Sequence, residues 1–364
     1  MKVLRGRRVH EARMRHLSTA GKCGLLGYAR EVHIDIGQSL VPEALEVYLP
    51  HFRSLVQVQT LKISHFDPSK FLPTFERFFA QFVPTLRSLH LPHVVGGVHE
   101  VLELICKFPH LDDLSLTLSS PHCANVPPEW PVAHSPPLKG TLVLRGWMSA
   151  PVRFLLEIPG GLHFRSIDVG GVDKAELDEI LAACSSTLEV FSLCPRSCKS
   201  TWYYHPPGNR CGVTKAYSFH SLVLDATDLS QNFALTRFEL RVDPDDLMLV
   251  PPLLHETLST ISSPVFSEFT LKLEDYLVED HFFYLLSREA LWGDEWGIVD
   301  RDLNDMVQVA GKDIRFVVQV GAHGGVWLRE LRGFMGVMFP LMSARGLVGV
   351  VKSTFQAEDE RFIW

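Results

Sequence analysis

The sequence predicts an α/β solenoid of alternating short strands and helices. This prediction rests on a recurring apolar pattern and on the helical segments between its copies. The pattern is L-x-x-L-x-L, with other apolar residues allowed at the leucine positions. Its middle residue recurs at steps of 24 to 29 residues. Alternating apolar residues indicate a strand with one buried face, and such units bury a continuous core only by stacking on copies of themselves. The middle positions at these steps are Val32, Leu61, Leu89, Leu114, Leu142, Ile167 and Phe191.

Repeats of this pattern and period are typical of leucine-rich repeats, which run roughly 20–29 residues. The predicted fold is therefore a leucine-rich repeat horseshoe, with a parallel sheet on its concave face and helices on its convex face. Further copies of the motif follow at Phe219/Leu222/Leu224, Leu235/Phe238/Leu240 and Phe266/Phe269/Leu271.

The segments between the motifs carry apolar residues at helical spacing, which predicts one amphipathic helix per repeat. Asp173 suits the N-cap of one such helix, and Pro251 and Pro252 suit the first turn of another. Nearer the end of the chain the period blurs. The predicted helices include 98–108, 174–184, 253–261, 300–309 and 327–342, and the last predicted strands are 314–320 and 347–351.

One leucine-rich repeat domain over residues 1–364 is the predicted domain organisation. Residues 1–28 form its leading strand and helix, 29–278 its regular repeats, and 279–364 its irregular final repeats or cap. A proline-rich stretch and a stretch rich in Pro, Gly, Tyr and Cys interrupt the regular repeats as insertions, at 119–137 and 195–218.

The composition limits the class of protein. Hydrophobic residues make up 46% and charged residues 21% of the 364 residues, as in globular proteins rather than disordered ones. No apolar run reaches the ~18 residues that a membrane span requires, so no membrane partner is expected. The net charge of −7 argues against a protein devoted to nucleic acid. Seven cysteines, an odd number, favour reduced thiols and a cytoplasmic or nuclear location.

Several phrases of the sequence resemble a known family. VQTLKIS, TLRSLHL, FPHLDDLSL, PPLKGTLVLRG and TLEVFSL are similar to the leucine-rich repeat region of the F-box-like proteins of mushroom-forming fungi. The resemblance implies a substrate-recognition protein linked to a ubiquitin ligase. The LPxEIL-like run of an F-box has no match in residues 1–29, so a Skp-type adaptor is not expected among the partners.

The predicted function is that of a non-enzymatic scaffold that binds another protein on its concave face, without a cofactor. The sequence has no G-x-S-x-G nucleophile elbow, and its paired glycines lack a phosphate-binding context. Residues between the motif leucines should point to solvent, because successive strand side chains alternate between the two faces. The predicted partner-binding residues are Ser88, His90, Asp113, Ser115, Arg145, Asp168, Arg237, Glu239, Arg241, Glu268 and Lys272.

Two alternative functions remain open at this stage. Cys194, Cys198, His205 and Cys211 lie in one loop at a spacing that zinc ligands could use, although the usual C-x2-C pairs are missing. This predicts, as an alternative, a metal-binding or enzyme-like role at the second insertion. The Arg-rich opening of the chain predicts, as another alternative, association with nucleic acid.

Overall fold

The computed structural model divides the chain into two compact units, unit 1 at residues 1–184 and unit 2 at residues 185–364. The predicted single domain therefore stays a prediction. The structure describes residues 2–3, 25–35, 53, 55–68, 70, 80–95, 98–118, 136–146, 149–158, 161–195, 226–242, 247, 250–273, 289–311, 313–320 and 328–352.

In unit 1 each strand pairs in parallel with the next strand along the chain, so the order in the sheet follows the order in the sequence. Corresponding motif residues lie opposite one another, since Leu89 pairs with both Leu61 and Leu114. The first strand of this series is the predicted leading strand. The strands are β1 Lys2–Val3, β2 Glu31–Asp35, β3 Thr60–Ser64, β4 Ser88–Val94, β5 Asp113–Leu118, β6 Thr141–Gly146 and β7 Ser166–Gly170.

The motif leucines of unit 1 form its core. Leu86, Leu89, Leu91 and Leu111 have no exposed surface, which confirms the face that the pattern assigns to them. The helices are α1 Val98–Cys106, α2 Ser149–Leu156 and α3 Lys174–Ala183, with a 3-10 helix at Leu25–Tyr28.

Helix α3 confirms its predicted position and its N-cap residue. Asp173 occupies the N-cap with an extended backbone, but its side chain makes no capping hydrogen bond. Its carbonyl oxygen accepts the first helical bond from the Leu177 N–H at 2.9 Å. The buried side of this helix consists of Leu177, Ile180 and Leu181, at the predicted helical spacing.

Unit 2 repeats the same plan. Its strands are again parallel and in chain order, and β8 pairs directly with β9. The motif at Phe219/Leu222/Leu224, which stands between those two strands in the sequence, lies outside the described residues. The strands are β8 Val190–Cys194, β9 Arg237–Val242, β10 Glu268–Leu273, β11 Arg315–Val320 and β12 Val348–Lys352.

The helices of unit 2 require two corrections to the predictions. The predicted helix 300–309 is only the second half of a 22-residue helix that begins at Glu289. The predicted helix 327–342 is not continuous, because Pro340 has no N–H to extend it and begins a new helix after Phe339. The buried Asp300 carboxylate accepts the N–H groups of Leu341 (2.8 Å) and Met342 (3.1 Å) at the start of that helix. The helices are α4 Val250–Thr260, α5 Glu289–Ala310, α6 Leu328–Met338 and α7 Pro340–Ala344.

A row of aromatic rings runs through the core of unit 2. Equivalent positions on four adjacent strands hold phenylalanines, with neighbouring ring centroids 5.6, 5.7 and 5.2 Å apart. Phe339 continues the row at 4.4 Å from the last ring and also contacts the buried Trp296. The row consists of Phe191, Phe238, Phe269 and Phe316.

Within the described part of the chain, no helix combines the length and the apolar character that crossing a bilayer requires. Most of both predicted insertions and most of the Arg-rich opening lie outside the described residues.

Candidate functional site

The predicted partner-binding residues lie on the polar side of the strands, opposite the buried leucines and phenylalanines. We call this side the polar face of each unit. Parallel pairing aligns its residues into rows across neighbouring strands. In unit 1, Ser88 lies opposite Asp113, and His90 lies opposite Ser115.

Polar atoms on the face of unit 1 bind one another and the backbone. The Ser88 hydroxyl lies 2.9 Å from the Nε2 atom of His90. Asp113 Oδ1 accepts the Thr141 N–H at 2.7 Å, so this carboxylate links β5 to β6. The glycine before Thr141 makes room for it, because a Cβ atom on Gly140 would lie 2.0 Å from the same oxygen. Asp113 therefore has a structural role within the sheet.

Arg145 and Asp168 form an ion pair on the polar face of unit 1. The Nη2 atom of Arg145 on β6 donates to both carboxylate oxygens of Asp168 on β7, each at 2.8 Å. The two side chains are 24% and 11% exposed, so solvent reaches the guanidinium more than the carboxylate. The pair holds two neighbouring strands in a fixed relation.

Unit 2 carries the densest group of charges on either polar face. We call its six residues the charged face: Arg237, Glu239 and Arg241 on β9, Glu268 and Lys272 on β10, and Arg315 on β11. Register places Glu268 opposite both Arg237 and Arg315, and Lys272 opposite Arg241.

Glu268 is shared by two guanidinium groups. Arg237 Nε lies 2.9 Å from its Oε1 atom, and Arg315 Nη1 lies 3.9 Å from its Oε2 atom. The Thr270 hydroxyl also donates to Oε1 at 3.2 Å. The carboxylate is therefore well bonded, whereas the contact of Arg315 is at the limit of an ion pair.

Glu239 is the second carboxylate of the charged face and is also enclosed by cations. Its Oε2 atom accepts a hydrogen bond from the ammonium group of Lys272 on the next strand. Its Oε1 atom lies 3.6 Å from Arg237 Nη1. Arg237 thus contacts both carboxylates and connects the two halves of the charge network.

The prediction that this row points to solvent is wrong for three of its members. Taken as whole residues, backbone included, Ser88, Asp168 and Glu239 are only 8%, 8% and 7% exposed. They lie on the polar face, but strands about 4.8 Å apart bring longer neighbouring side chains over the shorter ones. The most exposed parts of the charged face are two of its guanidinium groups, since the Arg237 and Arg315 side chains are 44% and 67% exposed.

A shallow groove of about 450 Å³ adjoins the charged face at the beginning of β10, β11 and β12. Glu268 and Arg315 belong to both the groove and the charged face. The rest of its lining is Ser267, Asp313, Gly346, Leu347, Val348 and Gly349.

Arg315 is a site residue that the sequence analysis does not identify. The strand 314–320 is correctly predicted, yet it lacks the L-x-x-L-x-L spacing that aligns the earlier rows. Counting outward positions from Ile314 would have assigned Arg315 to the polar face, but not to a position beside any particular residue. The missing information is the register, which here comes from the pairing of Glu268 with Arg315.

The proposed zinc ligands cannot be brought together from the described residues. Cys194 is buried at the end of β8, while Cys198, His205 and Cys211 lie outside the described part of the chain. Among the described residues, no group of three or more His, Cys, Asp or Glu could hold a metal ion. The metal alternative and the nucleic-acid alternative both stay predictions.

Comparisons of the chain with protein-family models, curated proteins and solved structures give no match.

Proposed function

We propose that this protein is a non-enzymatic leucine-rich repeat scaffold that binds another protein through the polar face of its sheet. The observation that carries the proposal is the charged face of unit 2, where side chains on three adjacent strands form one continuous network. Charges held on rigid strands suit recognition of a partner with complementary charge.

The leucine-rich repeat architecture is part of this proposal. Parallel strands in chain order, each separated from the next by a connecting segment, support it within each unit. The motif spacing supports it further, because a period of 24 to 29 residues matches such repeats. In that architecture the polar face lines the concave side of the horseshoe.

The sequence phrases quoted above extend the proposal to a substrate-recognition protein of the F-box-like kind. In this role the charged face binds the substrate, and any contact with a ubiquitin ligase adaptor takes place elsewhere on the chain. The two activities are separable, so each needs its own readout.

The test is affinity capture with the intact chain, followed by mass spectrometry. The variant that probes the site combines Arg237→Glu with Arg315→Glu. A matched control combines Arg301→Glu with Arg332→Glu, which reverses two exposed arginines on helices α5 and α6 of the same unit. We expect the same proteins to be recovered with the wild-type chain and the control, and lost with the site variant.

Two results would contradict the proposal. Recovery of no protein above an empty matrix would argue against a scaffold. Equal recovery with the site variant would place the binding surface away from the charged face. Recovery of a Skp-type adaptor by all three proteins would support the ligase role, and its absence in all three would count against that role alone.

A further inference from the structure

We propose that the charged face of unit 2 recognises an acidic protein segment, with Arg237 and Arg315 as a pair of carboxylate-binding residues arranged around Glu268. This inference rests on the proposed function and names the class of partner.

The first step is the placement of the two guanidinium groups. Arg237, Glu268 and Arg315 occupy the same row on β9, β10 and β11. Neighbouring strands lie about 4.8 Å apart, so the two arginines start from backbone positions about 10 Å apart. Glu268 stands between them and contacts both. The two arginines are therefore far enough apart to bind two different carboxylates of one ligand.

The second step is that the Glu268 carboxylate cannot accept hydrogen bonds from all the N–H donors of both arginines. A guanidinium group has five N–H donors. Arg237 directs Nε to Glu268 at 2.9 Å and Nη1 to Glu239 at 3.6 Å, whereas Arg315 approaches Glu268 only to 3.9 Å, so most of the unused donors are on Arg315. Donor capacity therefore remains for a ligand, and an added carboxylate can accept parallel hydrogen bonds from a guanidinium group.

The third step is the depth of the opposite charges. The Glu239 and Glu268 side chains are 10% and 20% exposed, while those of Arg237 and Arg315 are 44% and 67% exposed. An approaching partner therefore meets cations first. The two carboxylates lie beneath them.

The fourth step is the local sign of charge. The charged face has four cations and two carboxylates, although the whole chain has a net charge of −7. A positive region on an acidic protein favours a negatively charged partner and speeds its approach.

A protein segment fits this face better than nucleic acid does. Duplex DNA carries one phosphate per ~1.7 Å of its axis and needs a continuous basic surface. Here Glu239 and Glu268 separate the cations, so the surface is not continuously basic. The adjoining groove has glycine and apolar lining at Gly346 and Leu347, which suits a peptide backbone and its side chains.

The test measures binding of short synthetic peptides to the intact chain by fluorescence anisotropy. One peptide alternates glutamate with serine and glycine, a second replaces each glutamate by glutamine, and a third replaces each by lysine. An oligothymidylate serves as the nucleic-acid probe. We expect the glutamate peptide to bind most tightly, and its affinity to fall when salt is raised.

Three variants separate recognition from damage to the fold. Arg315→Gln should weaken binding of the glutamate peptide by about tenfold, because a charge-assisted contact is lost. Arg301→Gln, on the exposed side of α5, should bind like the wild-type chain. Glu268→Gln should bind at least as tightly as the wild-type chain, since it removes the carboxylate that competes for both arginines. A loss through unfolding would instead weaken binding in both site variants.

The inference is overturned if the glutamate and glutamine peptides bind equally, or if the lysine peptide or the oligothymidylate binds more tightly. The experiments distinguish a failure of this inference from a failure of the proposed function. If capture experiments yield a partner that depends on Arg237 and Arg315 but binds through a basic or neutral segment, the scaffold function stands and the acidic class is wrong.

Discussion

Asp113 shows how a single carboxylate on the polar face can serve the sheet. Its Oδ1 atom accepts the Thr141 N–H at 2.7 Å. Gly140 leaves the space this contact needs, since any Cβ atom there would overlap the oxygen. A charged acceptor and a glycine 27 positions apart in the sequence thus act as one structural element.

We predict that Asp113→Ala lowers the free energy of unfolding by about 1.5–3 kcal/mol, the usual range for a hydrogen bond to a charged group. Gly140→Ala should also destabilise the wild-type chain, because the new Cβ atom displaces the carboxylate. In the Asp113→Ala background, Gly140→Ala should cost clearly less, since the overlapping oxygen is gone. Denaturant unfolding of the four proteins, followed by circular dichroism, measures the three differences.

Asp112→Ala provides the control for this double-mutant cycle. Asp112 forms only a partly exposed pair with Arg87, whose side chain is 60% exposed. Such pairs contribute at most about 1 kcal/mol. Additive effects of Asp113→Ala and Gly140→Ala would show that the two positions do not act together.

At the scale of elements, the row of stacked phenylalanines connects the strands of unit 2. Phe269 lies in the middle, with ring centroids 5.7 Å from Phe238 and 5.2 Å from Phe316. It is fully buried. Each of the four strands β8 to β11 contributes one ring at the same register position, so the row adds contacts between these strands to their backbone pairing.

We predict that Phe269→Ala destabilises the protein by about 3–5 kcal/mol, because it removes a buried ring and leaves a cavity. Phe269→Leu should cost less, since it fills part of that cavity and keeps the apolar surface. Phe233→Ala is the matched control, as that ring is 57% exposed. Equal losses for the buried and the exposed ring, measured by thermal unfolding, would contradict a structural role for the row.

The positions of most elements were predictable from local patterns, whereas the site was predictable only in part. The spacing of Leu86, Leu89 and Leu91 identifies a strand and its buried face, because alternation is a property of the strand itself. The spacing does not identify which side chains of the next strand cover the residues of this one. The position of Glu239 therefore predicted an exposed side chain, although Lys272 covers it. Arg315 was not predicted as a site residue, because register depends on the pairing of strands.

At the scale of the whole molecule, the folded chain shields thiols that the unfolded chain exposes to water. Burial, together with a smaller contribution from the nearby Glu103 charge, raises the pKa of the Cys106 thiol from 9.0 to about 12. Burial also raises the pKa of the Cys184 thiol, to about 11, against a smaller lowering by the backbone of Phe164. Both thiols lie in unit 1, and both are buried.

These shifts predict a loss of stability at alkaline pH. Well below pH 9.0 the folded and unfolded chains both keep the thiol protons, so the thiols contribute no pH dependence. Above it the unfolded chain releases them while the folded chain retains them, so the unfolded state binds fewer protons and stability falls as pH rises. Each thiol contributes a slope of up to about 1.4 kcal/mol per pH unit. The fall from Cys184 ends near pH 11, and that from Cys106 near pH 12.

Denaturant unfolding under reducing conditions, repeated at pH values from 8 to about 11, tests this expectation. The chain carrying both Cys106→Ala and Cys184→Ala should be less stable at pH 8, because each substitution leaves a small cavity. Its stability should nevertheless decline less steeply above pH 9.0, since these two buried thiols are gone. Other groups titrate equally in both proteins, so the difference between the two slopes isolates the thiols. Parallel slopes would mean that the folded chain does not hold these protons more tightly than the unfolded chain.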